Sequence, residues 1–349
     1  MINLLYDATV LANGGNKNSG RSGIFWVSYN ILKELNKLKQ YKIYLYCSGE
    51  LYCKLYYACI KNNNDFNNCV LLKKINCFDK AFYFLKNKKN YFKEQKQNFR
   101  KTIFDIIAGT SKVFVKISNL FRGKEKTLLK KIDVFISPML AVPHEIQQYK
   151  NIKCYTVLYD AIPLIYKEFY PDIKRDDYWF SVLINSEFNK DKRNNFLAIS
   201  QSTKDDFVKY VPSISQEQIV VMPIATSQKF YPDKDLEKLN KVLDKYSVPQ
   251  NKRGKYIFSL CTLEPRKNLI FTIKCFIEFI KKNNIDDLYF YLGGGHWNDF
   301  IGKLEQEIND LDKYKDKIVK LGYIDDEDVN ILYSNSLFFT YISLYEGFG

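Results

Sequence analysis

Short apolar runs recur along the first two thirds of the chain, and amphipathic stretches separate several of them. Each run is short and rich in β-branched and aromatic residues, so it predicts a buried β-strand. The predicted strands are 2–6, 42–46, 133–137, 154–160, 195–200 and 218–222. A helix near 24–38 is predicted by apolar residues at helical spacing, which are Phe25, Ile31, Leu32, Leu35 and Leu38. Ser202 is the predicted N-cap of a further helix that ends near Tyr210.

The last third of the chain repeats the same alternation. Strands are predicted at 256–260, 287–295, 317–322 and 337–342, and helices near 268–282, 298–310 and 326–334. Apolar strands that alternate with amphipathic helices are typical of parallel sheets covered on both faces.

The segment 228–254 separates the two alternating regions and is polar, charged and marked by Pro232 and Pro249. We therefore predict an α/β protein with two Rossmann-like, doubly wound parallel-sheet domains that face each other across a cleft. The first domain covers 1–227, the junction 228–254 and the second domain 255–349. In such folds the ligand lies outside the carboxyl ends of the strands.

Composition changes this picture little. The chain has 349 residues, of which 46% are hydrophobic and 26% charged, so two globular domains are expected. Its eight cysteines include no C-x-x-C pair, which favours free thiols in a reducing compartment. Neither a signal peptide nor an apolar run of about 18 residues is visible in the sequence.

Charge is distributed unevenly. The net charge is +14, and the segment 80–131 alone has 15 lysines and arginines against 3 acidic residues. Concentrated positive charge indicates an anionic partner. Within this segment, positions 103, 106, 107, 113, 114, 117, 120 and 121 are apolar and share one helical face, opposite Asp105, Gly109, Lys112, Lys116 and Asn119. Such a helix can lie on an anionic membrane or can pack against a core with a solvated basic back.

Candidate chemistry concentrates at the ends of predicted strands. "TLEPRKNL" (262–269) places Arg266 and Lys267 between a strand and a helix, with Pro265 shaping the turn and Asn268 as a helix cap. Two cations before a helix N-terminus suit a phosphate or diphosphate, although a solvated turn with an arginine–carboxylate pair is the alternative.

Three glycine-containing segments also follow strands. "NGGNKNSGRSGI" (13–24) fits neither the Walker A pattern nor the dinucleotide-binding pattern, and it serves equally well as a ligand loop or a flexible loop. "LGGGHW" (292–297) favours a turn. In "SLYEGFG" (343–349), Glu346 follows a strand, and the glycines after it allow the backbone to approach a ligand closely.

In this order, "TLEPRKN", "LGGGHW", "LGYIDDEDVNILYSNS" and "SLYEGFG" resemble the donor half of a family 4 glycosyltransferase with the GT-B fold. The first half is also similar: "SGRSGIFWVSYNILKEL" to the family's glycine loop and helix, "VLYDAIPLIYKEFYP" to its HD-x-IP segment, and "FLAISQSTKDDFVKY" to its SxxTKxD segment. The resemblance covers nearly the whole chain and is greatest to mannosyltransferase-like enzymes of bacterial surface polysaccharides.

The resemblance implies a retaining hexosyltransferase that uses a GDP- or UDP-linked sugar, mannose-like, and no metal or other cofactor. The acceptor would be lipid-linked or a polysaccharide. Together with the basic segment, this predicts a cytoplasmic enzyme attached peripherally to anionic lipid at the inner face of the membrane.

The resemblance also implies residue roles. Arg266 and Lys267 would bind the donor diphosphate and stabilise the leaving group, and Glu346, the first glutamate of the E-x7-E motif, would be catalytic beside the donor sugar. The other implied donor-binding residues are Gly23, Thr262, Gly322, Tyr323, Ile324, Gly347, Phe348 and Gly349.

Two features differ from the family pattern. Tyr159 stands where the family often has His, before Asp160, and these two residues would contact the sugar or the acceptor. The second glutamate of E-x7-E would fall at 354, beyond Gly349, so the sequence is expected to be a fragment. Two other hypotheses are a non-catalytic nucleotide-sugar-binding module and a nucleic-acid-binding protein, and no recognition motif supports the second.

Overall fold

The computed structural model describes nine ranges of the chain, which are 1–14, 23–47, 51–61, 64–77, 79–81, 83–84, 123–226, 230–295 and 300–348. Contacts divide the chain into two compact units. The first unit contains 1–165 and 171–224, and the second contains 225–347 together with the segment Tyr166–Tyr170. The first domain was expected to be continuous to 227, so the transfer of Tyr166–Tyr170 to the second unit was not anticipated.

The first unit is built on a parallel sheet with seven strands in the part of the chain that the structure describes. The strand order is β3-β2-β1-β4-β5-β6-β7. The strands are β1 Ile2–Asp7, β2 Tyr41–Tyr46, β3 Val70–Leu71, β4 Val134–Ser137, β5 Lys153–Leu158, β6 Asn194–Ala198 and β7 Ile219–Val221. The six strands predicted for this region are confirmed. The edge strand β3 was missed because two residues form too short a run to be recognised.

Helices connect these strands. Their bounds are Thr9–Asn13, Gly23–Lys37, Leu51–Leu55, Gly123–Leu129, His144–Gln147, Ile162–Ile165, Trp179–Ile184 and Gln201–Tyr210. A π-helical turn, Tyr56–Lys61, follows the third of them.

The N-cap of the helix Gln201–Tyr210 lies two residues before the predicted one. Its N-cap is Ser200, whose Oγ accepts a hydrogen bond from the backbone N–H of Thr203 at 3.0 Å. Ser202 is therefore inside the helix, and the prediction of Ser202 as the cap was wrong. Two serines separated by one residue are equivalent on propensity alone.

The second unit contains a smaller parallel sheet, with the order β10-β9-β8 among the described residues. Its strands are β8 Lys255–Leu260, β9 Leu288–Gly293 and β10 Ile318–Gly322. The helices are Leu236–Lys245, Leu269–Lys282, Phe300–Asn309 and Val329–Asn335. Both the α/β class and the parallel sheets are as predicted.

The predicted strand 337–342 is only partly formed. It runs beside β8 and makes one isolated parallel bridge, between Phe258 and Phe339. The Leu337 N–H also donates to the carbonyl of Tyr256 at 2.9 Å, and the Thr340 N–H to that of Phe258 at 2.9 Å. Too few consecutive ladder bonds form for a regular strand.

The predicted junction 228–254 is not simply a linker. It contains the helix Leu236–Lys245, in which Val242 and Leu243 are buried in a core cluster of the second unit. Asp235 caps this helix by accepting a hydrogen bond from the Lys238 N–H at 3.0 Å. Its few apolar residues lie among lysines and acidic residues, so the helix was not predicted from the sequence.

All eight cysteines are free, as predicted, and only Cys77 and Cys275 are exposed. Nowhere in the described ranges is there a helix that is both long enough and apolar enough to cross a membrane. The amphipathic positions from 103 to 121 lie outside the described residues, and so does most of the basic segment 80–131.

Candidate functional site: a buried cation pair after strand β8

The two predicted phosphate ligands lie in a tight turn after β8. Pro265–Lys267 forms one turn of 3-10 helix, and Asn268 then adopts a left-handed conformation at φ 57° before the helix Leu269–Lys282 begins. Asn268 was predicted to cap that helix with its side chain, and this prediction was wrong. The Asn268 side chain instead donates a hydrogen bond to the carbonyl of Ile342 at 3.3 Å. The turn is thereby attached to the segment that leads to Glu346.

Arg266 is buried, with 7% of its surface exposed. Its Nη2 donates to Glu264 Oε1 at 2.6 Å, and its Nη1 donates to the carbonyl of Tyr345 at 2.8 Å. Nη1 also lies 2.7 Å from Glu346 Oε1. Two sides of the guanidinium are therefore held by carboxylates.

Lys267 is equally buried and reaches the same carboxylate. Its Nζ donates to Glu346 Oε1 at 2.6 Å and to the Tyr341 hydroxyl. Ser343 Oγ donates to the same Glu346 oxygen at 2.6 Å. The structure thus brings together Arg266, Lys267 and Glu346, which the sequence placed in two motifs nearly eighty residues apart.

Glu264 and Tyr170 complete the cluster and were not among the predicted site residues. Glu264 is 5% exposed and pairs with Arg266, while the Tyr170 hydroxyl donates to Glu264 Oε2 at 3.2 Å. The two cations, Arg266 and Lys267, are balanced by two carboxylates, Glu264 and Glu346. Glu264 precedes a proline turn and has no sequence feature other than its charge that would indicate a site. Tyr170 was missed because it lies far from this turn in the sequence.

The electrostatics favour the charged forms of Glu346 and Arg266. Burial acts to raise the pKa of Glu346, but hydrogen bonds from Lys267 and Ser343 outweigh burial and hold this pKa below its usual value. Burial acts to lower the pKa of Arg266, and the charge of Glu264 with the Tyr170 hydrogen bond raises it above its usual value. Burial raises the pKa of Tyr170 to about 12. Glu346 is therefore an ionised hydrogen-bond acceptor.

The predicted nucleobase loop, Gly322–Ile324, follows β10. The Gly322 carbonyl accepts a hydrogen bond from the Gly294 N–H at 2.8 Å, Tyr323 is 47% exposed, and Ile324 is buried in the core. Only Tyr323 of the three therefore presents its side chain to solvent.

Ion pairs secure the residues that follow this loop. Lys245 Nζ lies 2.7 Å from Asp325 Oδ2 and 2.5 Å from Asp328 Oδ2. The Tyr246 hydroxyl donates to Asp328 at 2.8 Å and accepts from the Asp325 N–H at 2.9 Å. The helix Leu236–Lys245 therefore holds the loop through its C-terminal end.

The other predicted donor-binding residues of the C-terminal half that the structure describes are not part of the ion-pair cluster. Thr262 is exposed, and its carbonyl accepts from the Glu264 N–H at 2.9 Å. Gly347 follows Glu346 directly, Phe348 is 42% exposed, and Gly349 lies outside the described residues.

Besides Phe348, three predicted residues belong to the first unit. Gly23 is exposed and starts the helix Gly23–Lys37. Asp160 accepts a hydrogen bond from the Ile162 N–H at 3.1 Å, and the buried Tyr159 hydroxyl has no hydrogen-bond partner among the described residues. A buried hydroxyl without a partner costs stability.

Comparison with known proteins was informative at the level of sequence and fold. No protein-family model matches the chain. Among curated proteins it is 27% identical over 215 residues to the serotype-specific mannosyltransferase WbdA of Escherichia coli, a match that covers 60% of this chain and 24% of WbdA. The chain thus spans about a quarter of the length of the curated relatives it matches.

Solved glycosyltransferases share the fold along the whole chain. WaaG, a glycosyltransferase involved in lipopolysaccharide biosynthesis, has a TM-score of 0.53 at 10% identity and covers 99% of this chain and 76% of its own. At this identity the likeness to WaaG shows a shared fold. Anabaena Alr3699/HepE, solved with UDP and glucose, has a TM-score of 0.55 at 11% identity, and the match covers 100% of this chain and 76% of HepE. The fold of this chain is therefore GT-B, as the sequence predicted.

Proposed function

We propose that this chain transfers a hexose, mannose-like, from a GDP- or UDP-linked sugar to a lipid-linked or polysaccharide acceptor, with retention of the anomeric configuration. The observation that carries the proposal is the convergence of Arg266, Lys267 and Glu346 in one cluster beyond the carboxyl end of β8. In open α/β sheets this edge is where ligands bind.

The chemistry follows from the charges. When the bond between the sugar and the diphosphate breaks, negative charge develops on the diphosphate oxygens, and Arg266 and Lys267 would stabilise it. Both cations are already desolvated, with 9% and 8% of their side chains exposed. Little solvent reorganisation is needed at that moment, and the two fixed cations supply the charge that a metal ion provides in other folds.

Glu346 would act on the sugar and not on the leaving group. Its carboxylate is ionised and accepts hydrogen bonds, so it suits a sugar hydroxyl as a partner. Because an ionised carboxylate repels a diphosphate, donor binding would require Glu346 to exchange its contacts with the two cations for contacts with the hexose.

The names of two similar proteins and the basic segment support the acceptor class and the location. The name of WbdA describes a serotype-specific mannosyltransferase, and that of WaaG refers to lipopolysaccharide biosynthesis. The basic segment 80–131, with 15 cationic against 3 acidic residues, would suit anionic lipid at the inner face of a cytoplasmic membrane. A lipid-linked acceptor would be presented at that surface.

Calorimetric titration tests the donor site. Wild-type protein is titrated with UDP, GDP and their sugar conjugates beside Arg266→Ala. We expect selective binding of one base and an affinity about tenfold to a hundredfold lower in the variant, because a charge-assisted hydrogen bond to the diphosphate is lost.

Arg175→Ala is the matched control. Arg175 pairs with Asp177 at 2.9 Å, but its side chain is 60% exposed, so its loss should leave nucleotide affinity unchanged. Absence of nucleotide binding by the wild type, or equal binding by Arg266→Ala, would contradict the proposal. Binding without any release of the sugar would favour a nucleotide-sugar-binding module.

A further inference from the structure

The segment Tyr166–Tyr170 is part of the second unit, although the chain on both sides of it belongs to the first. The Tyr166 ring stacks on Phe169 at 5.7 Å and lies 6.4 Å from the ring of Tyr345. Tyr345 is the neighbour of Glu346 and supplies the carbonyl that Arg266 binds. One end of the segment is thus packed beside the glutamate turn.

The other end of the segment reaches the guanidinium. Arg266 Nε donates to the Tyr170 hydroxyl at 3.3 Å, that hydroxyl donates to Glu264 Oε2 at 3.2 Å, and Glu264 Oε1 accepts from Arg266 Nη2 at 2.6 Å. These three residues form a closed ring of hydrogen bonds. In this ring the hydroxyl acts as both acceptor and donor, which phenylalanine could not do.

The ring restricts the orientation of the Arg266 side chain. A guanidinium is planar, so holding Nε and Nη2 determines where Nη1 points. In Arg266 that remaining nitrogen faces the Tyr345 carbonyl and Glu346.

We propose that Tyr170 and Glu264 are positioning residues that hold the Arg266 guanidinium in the orientation that binds the donor diphosphate. The inference rests on the proposed function. It adds that a residue from the first half of the sequence completes the diphosphate site of the second unit. Glu264 stays with Arg266 as a permanent counter-ion, and Glu346 is the carboxylate that the donor replaces.

Tyr170→Phe tests the role of the hydroxyl. Three probes are titrated separately, which are the nucleoside diphosphate that the wild type binds, inorganic pyrophosphate and the corresponding nucleoside. We expect the first two to bind about threefold to tenfold more weakly, as one hydrogen bond is lost, and the nucleoside to bind unchanged. A purely structural effect would weaken the binding of the nucleoside as much as that of the two phosphate probes.

Tyr291→Phe is the matched control in the same unit. It removes a hydroxyl that donates to the Lys252 carbonyl at 2.7 Å, outside the cluster, and should alter none of the three affinities. Glu264→Gln keeps the side-chain shape and should also weaken the two phosphate probes. In the double variant, Tyr170→Phe should cause a smaller further loss of affinity for the phosphate probes than it causes alone, because the two residues act through one guanidinium.

The outcomes separate the inference from the proposed function. If the wild type binds the diphosphate and Tyr170→Phe binds it equally well, the positioning role is wrong and the function stands. Equal weakening of all three probes would also overturn the positioning role. If the wild type binds neither the nucleotides nor pyrophosphate, the proposed function itself fails.

Discussion

At the residue scale, Glu346 is the carboxylate that contacts both cations of the cluster. One oxygen, Oε1, lies 2.6 Å from Lys267 Nζ, 2.7 Å from Arg266 Nη1 and 2.6 Å from Ser343 Oγ. Its side chain is 22% exposed, more than those of the cations it joins. An anion held by several donors at the rim of a buried site can be replaced by another anion at modest cost.

Glu346→Gln should lower stability in a pH-dependent way. The folded-state pKa of Glu346 lies below its usual value, so the carboxylate contributes stability above the usual glutamate pKa of about 4.3 and loses that contribution as the pH falls through the folded-state value. We expect the free energy of unfolding of the variant to be about 1 kcal/mol lower at pH 7. Partial exposure of the side chain to solvent keeps this loss small.

Denaturant unfolding of both proteins from pH 7 to pH 3 measures this difference, which should shrink towards zero at the acidic end. Glu187→Gln is the control, because Glu187 pairs with Lys190 but is 85% exposed. A difference that stays constant with pH would show that the ionised carboxylate is not what stabilises the site.

Sequence identified the charged residues of the site but not their supports. Arg266, Lys267 and Glu346 stand in patterns whose charge and position at strand ends indicate anion chemistry. Tyr170 forms its hydrogen bonds with residues 94 and 96 positions away, and no local pattern encodes such a contact. Glu264 could equally have been a solvated turn residue, because burial and not residue type gives it its role.

At the element scale, the ends of β8, β9 and β10 come very close together. The Cys261 N–H donates to the Gly293 carbonyl at 3.1 Å, and the Gly294 N–H donates to the Gly322 carbonyl at 2.8 Å. Gly294 has φ +143°, and a Cβ there would lie 1.6 Å from the carbonyl oxygen of Cys261. Gly294 of "LGGGHW" therefore has a packing role, which favours the turn that the sequence suggested.

Gly294→Ala should destabilise the second unit by about 3 kcal/mol, since the new methyl group meets backbone and the φ value is unfavourable for alanine. Gly295→Ala is the matched control, because a Cβ at Gly295 meets no atom within 4 Å. Urea unfolding of the two variants gives the comparison. Similar stability of both would mean that the strand ends can relax apart.

Elements with long apolar runs were predictable, and short or polar ones were not. The helix Leu269–Lys282 was predicted to within one residue, because its apolar face is continuous. β3 has two residues, and the helix Leu236–Lys245 carries its few apolar side chains among lysines and acids. Tertiary packing, and not the local sequence pattern, determines whether such elements form.

At the scale of the whole molecule, the segment 337–344 exposes a row of apolar side chains along the edge of the second sheet. Leu337 is 56% exposed, Phe338 55% and Leu344 49%. An incompletely paired edge with apolar side chains is a site of self-association.

Phe338→Lys should therefore reduce self-association, because a charge on this edge opposes pairing with another chain. Light scattering across a concentration series measures the effect, and nucleotide affinity should be unchanged. Phe271→Lys is the control: Phe271 is 56% exposed, but it lies on a helix and not on the sheet edge. An equal effect of both substitutions would indicate a general response to added charge.

The ring that joins Tyr170 to Glu264 and Arg266 also bears on how the protein folds. Contacts between residues separated by more than ninety positions form only after a large loop has closed, and such non-local contacts slow folding. During synthesis, Tyr170 emerges long before the turn that it supports. We therefore expect the cluster of Arg266, Lys267 and Glu346 to be among the last features to form, so that nucleotide binding at the proposed diphosphate site would report a late step of refolding.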